Sequence, residues 1–147
     1  MEGKEALFRE KAKTYFVCFN DFCPRHRQCL RWEVGRYYDP EVHAVKCVSP
    51  LYSKATGGEC PLFVDNTPRR MPVGMKQHFY YDMPGHIATS VKNSLIAASS
   101  RATYYKYHRG DRPITPFVQS QIESACRRFG WNGPFVYDSE IEDYVWD

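Results

Sequence analysis

Five of the chain's six cysteines lie within its first sixty residues, and this cluster constrains the fold more than any other sequence feature. Gaps of four, five, seventeen and twelve residues separate them. Short gaps followed by a longer return loop are typical of zinc sites, in which four sulfur or imidazole ligands surround one ion. The spacing therefore predicts one structural metal ion in a loop-rich module. The five cysteines are Cys18, Cys23, Cys29, Cys47 and Cys60.

Four cysteines are enough for one ion, and their sequence context ranks them. Cys23 and Cys60 each precede a proline and suit loops, whereas Cys18 stands in an apolar run that suits a core position. His26 and His43 are further candidates, because neutral imidazole is also a zinc ligand. The expected ligands are Cys23, Cys29, Cys47 and Cys60, with Cys18 as the substitute.

Zinc is the expected metal, and an iron–sulfur cluster is the alternative. A proline also follows the last ligand of bacterial iron–sulfur motifs, as it follows Cys23 and Cys60 here. Unliganded buried thiols are the remaining interpretation, since free cysteine behaves as a small hydrophobe. Because the protein would supply all four ligands, no position stays open for catalysis. We therefore expect no enzymatic activity; a cysteine nucleophile paired with a histidine is the enzymatic alternative.

Composition and the lack of long apolar stretches define the class of protein. Hydrophobic residues make up 43% and aromatic residues 16% of the 147 residues, which excludes a disordered chain. No run approaches the roughly 18 apolar residues of a membrane helix, and the charged start lacks an apolar signal core. We expect a cytoplasmic protein with no membrane partner, in which a reducing environment favours metal binding over disulfides.

Proline, glycine and charge divide the chain into four segments. Residues 61–85 contain four prolines and two glycines without a helical period, which predicts an extended connector with one strand at residues 77–81. The cysteines precede this stretch, and regular helical patterns follow it. The predicted segments are a cysteine-rich metal-binding module at 1–63, the connector at 64–85, a helical module at 86–135 and an acidic tail at 136–147.

Helical periodicity predicts one helix near the start and three in the helical module. The first covers residues 3–16, and the others cover 87–98, 101–108 and a stretch that begins at Pro116. Residue types that begin or end helices stand at the expected places. They are Ser100 and Thr115 as N-caps, Pro116 in a first turn, and Gly110 and Gly130 after the last turns.

Charge is segregated along the chain. Residues 86–135 carry seven basic and two acidic side chains, whereas residues 136–147 carry five acidic and no basic ones. A basic segment favours a polyanionic partner such as nucleic acid.

One pattern in residues 99–131 consists of Ser100 to Thr103, Gly110, Thr115, Pro116, Gln121, Ile122, Ala125, Gly130 and Trp131. In order and spacing it resembles the amino-terminal DNA-binding region of the LacI-type repressors. The resemblance implies a helix-turn-helix whose second helix enters the major groove. It implies base contacts by Arg101, Ala102 and Lys106 and phosphate contacts by Ser100, Tyr105 and Arg109. The repressors have small aliphatic residues on the inner face of this helix, where this chain has Tyr104, Tyr107 and His108.

The whole chain also resembles a group of small uncharacterised bacterial proteins that share its cysteines and the run MPGHIAT at residues 83–89. That likeness implies no function. The predicted fold is α-rich α+β, with a metal-stabilised N-terminal module and a three-helix, helix-turn-helix-like C-terminal module. The expected function is that of a DNA-binding accessory or regulatory factor with double-stranded DNA as partner. A metal-stabilised module that binds a protein partner is the alternative.

Overall fold

The chain divides into two structural units, and the second is inserted into the first. The computed structural model describes residues 2–55 and 59–146. The N-terminal unit comprises residues 1–68 together with 144–147, and the inserted unit comprises residues 69–143. The described residues form a helix-rich mixed fold with one small antiparallel sheet, as the coarse α+β prediction requires. None of the described helices is long and apolar enough to cross a membrane.

Helices account for most of the regular structure. They are α1 (Glu2–Ala12), α2 (Leu30–Gly35), α3 (Gly85–Ala98), α4 (Arg101–Arg109) and α5 (Pro116–Arg128), with short 3-10 helices at His26–Gln28 and Ser53–Ala55. The strands are β1 (Arg69–Val73) and β2 (Ser139–Asp143), which pair from Arg69 with Asp143 to Val73 with Ser139.

Aromatic packing around Phe8 forms the core of the N-terminal unit. Phe8 is fully buried and contacts the rings of Tyr37, Tyr144 and Trp146 at centroid distances of 5.5, 5.1 and 5.9 Å. The helix that carries it ends at Ala12, earlier than predicted, because the chain turns and extends to pair Val17 with Cys47. Residues from the predicted acidic tail thus complete this core.

The predicted connector, residues 64–85, is divided between the two cores. Val64 is buried in the N-terminal unit, whereas Met75, Phe79 and Met83 are buried in the inserted unit with residues of α3 and α5. Methionine and phenylalanine in this proline-rich stretch have enough apolar surface to stabilise packed turns. The stretch therefore belongs to the folded units, and residues 77–81 form turns where a strand was predicted.

The carboxylate of Asp138 organises those turns. It accepts hydrogen bonds from the backbone N–H groups of Lys76, Gln77 and His78 at 3.0, 2.9 and 3.3 Å. Asp138 also donates its own N–H to the carbonyl of Gly74 at 3.0 Å. Gly74 has φ +84, and a Cβ there would lie 2.6 Å from the Asp138 carboxylate. Glycine is therefore required for this approach.

The boundaries of α4 and α5 match the predicted capping residues. Ser100 accepts a hydrogen bond from the N–H of Thr103 at 3.0 Å, and Thr115 accepts one from the N–H of Val118 at 3.4 Å. Gly110 adopts the left-handed conformation, φ 86, after α4. These caps confirm the predicted helix starts, because each depends on residues only three positions apart.

Replacing Asp138 with Ala should lower the free energy of unfolding by about 2 kcal/mol, because three backbone N–H groups lose their charged acceptor. Asp138→Asn should lose less, since the amide oxygen still accepts. Glu140→Ala is the matched control: Glu140 makes an exposed ion pair with Arg70 at 3.2 Å, and its loss should change stability by less than about 1 kcal/mol. Urea unfolding followed by circular dichroism measures all three. Equal losses for Asp138→Ala and Glu140→Ala would contradict this account.

Candidate functional site

Four of the five clustered cysteines face one small cavity in the N-terminal unit. The cavity has a volume of about 20 Å³, which is room for about one water-sized particle. Its lining also contains His26, Arg31 and Val48. The four cysteines are Cys18, Cys23, Cys29 and Cys60.

Cys18 forms hydrogen bonds through both its backbone N–H and its sulfur. Its backbone N–H donates to the carbonyl of Arg31 at 3.0 Å. Its Sγ accepts the backbone N–H of Asn20 at 3.4 Å. A backbone N–H directed at a sulfur stabilises the thiolate form, as the groups that surround metal ligands commonly do.

Cys23 and His26 are joined by a tight turn. The carbonyl of Cys23 accepts the backbone N–H of His26 at 3.1 Å and lies 2.7 Å from its Nδ1. Because a carbonyl only accepts, Nδ1 carries the proton and Nε2 is the acceptor atom of the ring. The ring also packs edge-on against Trp32 at 4.6 Å. His26 is thus oriented as ligating histidines are, with a backbone carbonyl on the far nitrogen.

Cys29 and Cys60 are brought together by a short backbone bridge. Cys29 is buried immediately before α2 and pairs with Asp65. The N–H of Leu30 donates to the carbonyl of Val64 at 2.6 Å. This pairing places the segment that carries Cys60 beside the start of α2.

Arg31 links the two segments that carry Cys18 and Cys60. Its Nε donates to the carbonyl of Leu62 at 2.7 Å, and its Nη1 donates to the carbonyl of Phe16 at 2.8 Å. The guanidinium lines the same cavity as the thiols. Arg31 therefore holds together two of the segments that line the cavity.

Burial raises the pKa of the Cys18 thiol above its usual value, while the hydrogen bond from Asn20 lowers it. The neighbouring sulfurs of Cys29, Cys23 and Cys60 raise it further. Thiolates this close repel one another unless a cation lies between them. The described residues contain no group of three or more His, Cys, Asp or Glu side chains already arranged to hold a metal ion. Coordination would therefore require the thiols to close around the cavity.

Cys47 and His43, two of the residues singled out from the sequence, lie elsewhere. Cys47 packs against the core of the N-terminal unit, and His43 is exposed. Successive side chains of an extended segment point to opposite sides. Cys47 therefore faces the core while Val48 faces the cavity, and on the paired segment Val17 faces the core while Cys18 faces the cavity. The structure places Cys18 at the cavity in the position that Cys47 was expected to take.

The residues that the repressor resemblance singles out lie at the start and along one side of α4. Ser100 caps the helix. The other five residues lie within α4, and at about 100° per residue they fall within an arc of about 140° around the helix axis. Four of them are exposed and Tyr105 is half-buried. The five are Arg101, Ala102, Tyr105, Lys106 and Arg109.

The opposite side of α4 is anchored by tyrosines. Tyr104 is buried, and its hydroxyl lies 2.8 Å from that of Tyr80 and 3.4 Å from Nδ1 of His108. Burial raises the pKa of Tyr104 to about 12 and lowers that of His108. Both groups are therefore neutral near pH 7. These hydrogen bonds hold α4 against the turn that carries Tyr80.

The outward side of α4 is the side that carries Arg101, Ala102, Tyr105, Lys106 and Arg109, and two further observations concern its charge. The hydroxyl of Tyr105 interacts with Lys92 of α3, which lowers the pKa of Tyr105. Arg109 pairs with Asp111 at 3.0 Å, whereas Arg101 and Lys106 are exposed cations. Lys92 therefore extends the basic surface of α4 onto α3.

Comparison of the whole chain with known families identifies a family that covers nearly all of it. A family of unknown function, DUF6078, matches residues 1–146. The chain belongs to this family. This confirms the resemblance to an uncharacterised family and assigns no activity to it. No curated protein and no solved structure matches this DUF6078 member.

Asn20 and Arg31 are two polar residues at the cavity of this DUF6078 member that the sequence patterns did not single out. Asn20 stands two residues after Cys18, the spacing at which a backbone N–H reaches back to a cysteine sulfur. Arg31 stands next to Leu30 in the apolar start of α2, where a charged residue needs a buried partner. The Arg31 signal does not identify its partners, because the carbonyls of Phe16 and Leu62 are distant from Arg31 in sequence.

Arg31→Lys should lower the free energy of unfolding by about 1–3 kcal/mol, because one ammonium cannot reproduce a planar fork bonded to two carbonyls. Arg27→Lys is the control, since Arg27 is exposed, and it should change stability by less than about 0.5 kcal/mol. Urea unfolding of the full chain measures both. A loss no larger for Arg31→Lys than for Arg27→Lys would refute the linking role.

Proposed function

We propose that the N-terminal unit holds one structural zinc ion through Cys18, Cys23, Cys29 and Cys60. The observation that supports this is the convergence of four thiols on one cavity of about 20 Å³. Four sulfur ligands match the donor set of structural zinc sites, and four protein ligands leave no position for a substrate. His26 is the alternative imidazole ligand on the same cavity.

Cavity size favours a single ion, and the charge of the site is partly compensated. Four thiolates and Zn²⁺ sum to a charge of −2, which the guanidinium of Arg31 and the N–H of Asn20 partly offset. A cluster of several iron and sulfide ions is much larger than the single water-sized particle that this cavity accommodates. Thiolate ligands must stay reduced, so the proposal places the protein in a reducing compartment such as the cytoplasm.

Cys18→Ser should strongly reduce bound zinc and destabilise the protein, because serine is a poor zinc ligand and metal binding is coupled to folding. Cys47→Ser is the matched control and should keep one zinc ion per chain. Elemental analysis and thermal unfolding of both variants, purified under reducing conditions, give the answer. The proposal fails if Cys18→Ser retains full zinc, or if the purified protein shows the visible absorption of an iron–sulfur cluster.

We propose, second, that the outward side of α4 contacts double-stranded DNA. The supporting observation is that Arg101, Tyr105, Lys106 and Arg109 share one side of a capped helix, opposite the buried Tyr104. Side chains in the first turns of such a helix reach base edges in the major groove, and flanking cations contact phosphates. The three helices α3 to α5 then act as a helix-turn-helix, consistent with a regulatory or accessory factor.

Lys106→Ala combined with Arg109→Ala should weaken binding to random-sequence duplex about tenfold and lower the salt slope by about one for each lost phosphate contact. Arg69→Ala combined with Arg70→Ala removes equal charge from β1 and should change affinity less than about twofold. Fluorescence anisotropy between about 50 and 200 mM salt measures both slopes.

If the wild-type protein does not bind duplex even near about 50 mM salt, the DNA proposal is wrong. The protein-interaction alternative would then stand, and it requires a partner recovered by affinity purification in the presence of nuclease. The zinc proposal is independent of this outcome, since its ligands lie in the N-terminal unit.

A further inference from the structure

The inserted unit contains a cleft of about 550 Å³ that neither proposed function uses. Residues of α3, α4 and α5 line it, and its floor is apolar. Tyr104 and Ile122 in the floor are each 3% exposed. Small-molecule sites typically have volumes of about 300–1,000 Å³ and mainly apolar linings. The cleft therefore has the size and the surface of a ligand site.

Helix α5 supplies both an apolar wall and a polar rim to this cleft. Val118, Ile122 and Ala125 recur at helical spacing and face inward, and the last two are buried. Three polar residues spaced four apart form a second row along one edge of the helix. Each of them has a hydrogen-bond donor. That row is Ser120, Ser124 and Arg128.

Arg128 carries the only charge among the described residues that line the cleft. Its guanidinium donates to the hydroxyl of Ser94 on α3, so the charge is held at the rim between the two helices. The adjacent Arg127 is engaged elsewhere: it pairs with Glu123 at 3.9 Å and lies over the ring of Phe135 at 5.2 Å. An apolar floor with one cation at its rim is complementary to an apolar molecule with one negative group.

We propose that this cleft binds a small molecule that has an apolar body and one carboxylate. The carboxylate accepts hydrogen bonds from the guanidinium of Arg128 and from the hydroxyl of Ser124. Two N–H groups of a planar guanidinium can donate to the two oxygens of one carboxylate, and these charge-assisted hydrogen bonds are stronger than those from neutral donors. The apolar body lies against Leu95, Tyr104 and Ile122, where it removes apolar surface from water.

The probe for this site is 2-naphthoate, titrated into the ¹⁵N-labelled full-length chain and followed by amide chemical shifts. We expect saturable shifts in α3, α4 and α5 around the cleft. Arg128→Gln should weaken naphthoate binding about tenfold or more, because it removes the charge-assisted hydrogen bonds. Arg127→Gln removes the neighbouring charge and should weaken it less than about twofold. Uncharged 2-naphthamide should not distinguish the two variants.

A second pair of variants tests the place of binding. Ala98 and Ala97 are both exposed on α3, and of the two only Ala98 lines the cleft. Ala98→Phe should fill the cleft and abolish the saturable shifts, whereas Ala97→Phe should retain them; thermal unfolding verifies that both variants fold. The proposal is overturned if naphthoate shifts map outside the cleft, or if Arg127→Gln and Arg128→Gln weaken binding equally. It is also overturned if sedimentation shows a dimer of the wild-type chain that Ala98→Phe dissociates, because a second copy of the chain would then cover the cleft.

Discussion

The pair of carbonyl hydrogen bonds from Arg31 is the interaction on which the candidate metal centre depends. The segments that carry Cys18 and Cys60 have no regular secondary structure of their own at this point. This one guanidinium bonds to both of them, beside the backbone hydrogen bonds that also tie them to α2. Losing this side chain removes the donor from the carbonyls of Phe16 and Leu62. One residue at the cavity therefore positions both segments.

The inserted unit depends in a similar way on the hydrogen bonds of a few polar groups. The carboxylate of Asp138 fixes the turns at residues 76–78, and the hydroxyls of Tyr80 and Tyr104 meet beneath α4. These contacts give α4 two distinct sides. Its outward side carries the cations proposed to contact DNA, and its inward side forms part of the cleft with Thr103 and Tyr107. A ligand in the cleft would thus touch the helix that the DNA proposal uses.

Local patterns predicted the last three helices well because the relevant contacts are local. Ser100 and Thr115 each cap through a hydrogen bond to a residue three positions ahead, and Gly110 supplies the left-handed turn where α4 ends. The division of residues 64–85 between the cores of the two units was harder to predict. Burial of Met75 and Phe79 depends on side chains of α3 and α5 and on Asp138, which is about sixty positions away. Proline content alone indicated only that the stretch is not a regular helix.

The sequence by itself determined that cysteines are concentrated near the N-terminus and that three helices follow, two of them with side-chain caps, because residue type, spacing and capping need no distant partner. Tertiary structure decided which cysteines line one cavity. Cys18 and Cys47 lie on paired extended segments, where the direction of each side chain depends on the register between the segments. That register places Cys18 at the cavity and Cys47 against the core. A shift of this register by one residue would turn the side chains of the shifted segment to the other side, since alternate side chains face opposite sides.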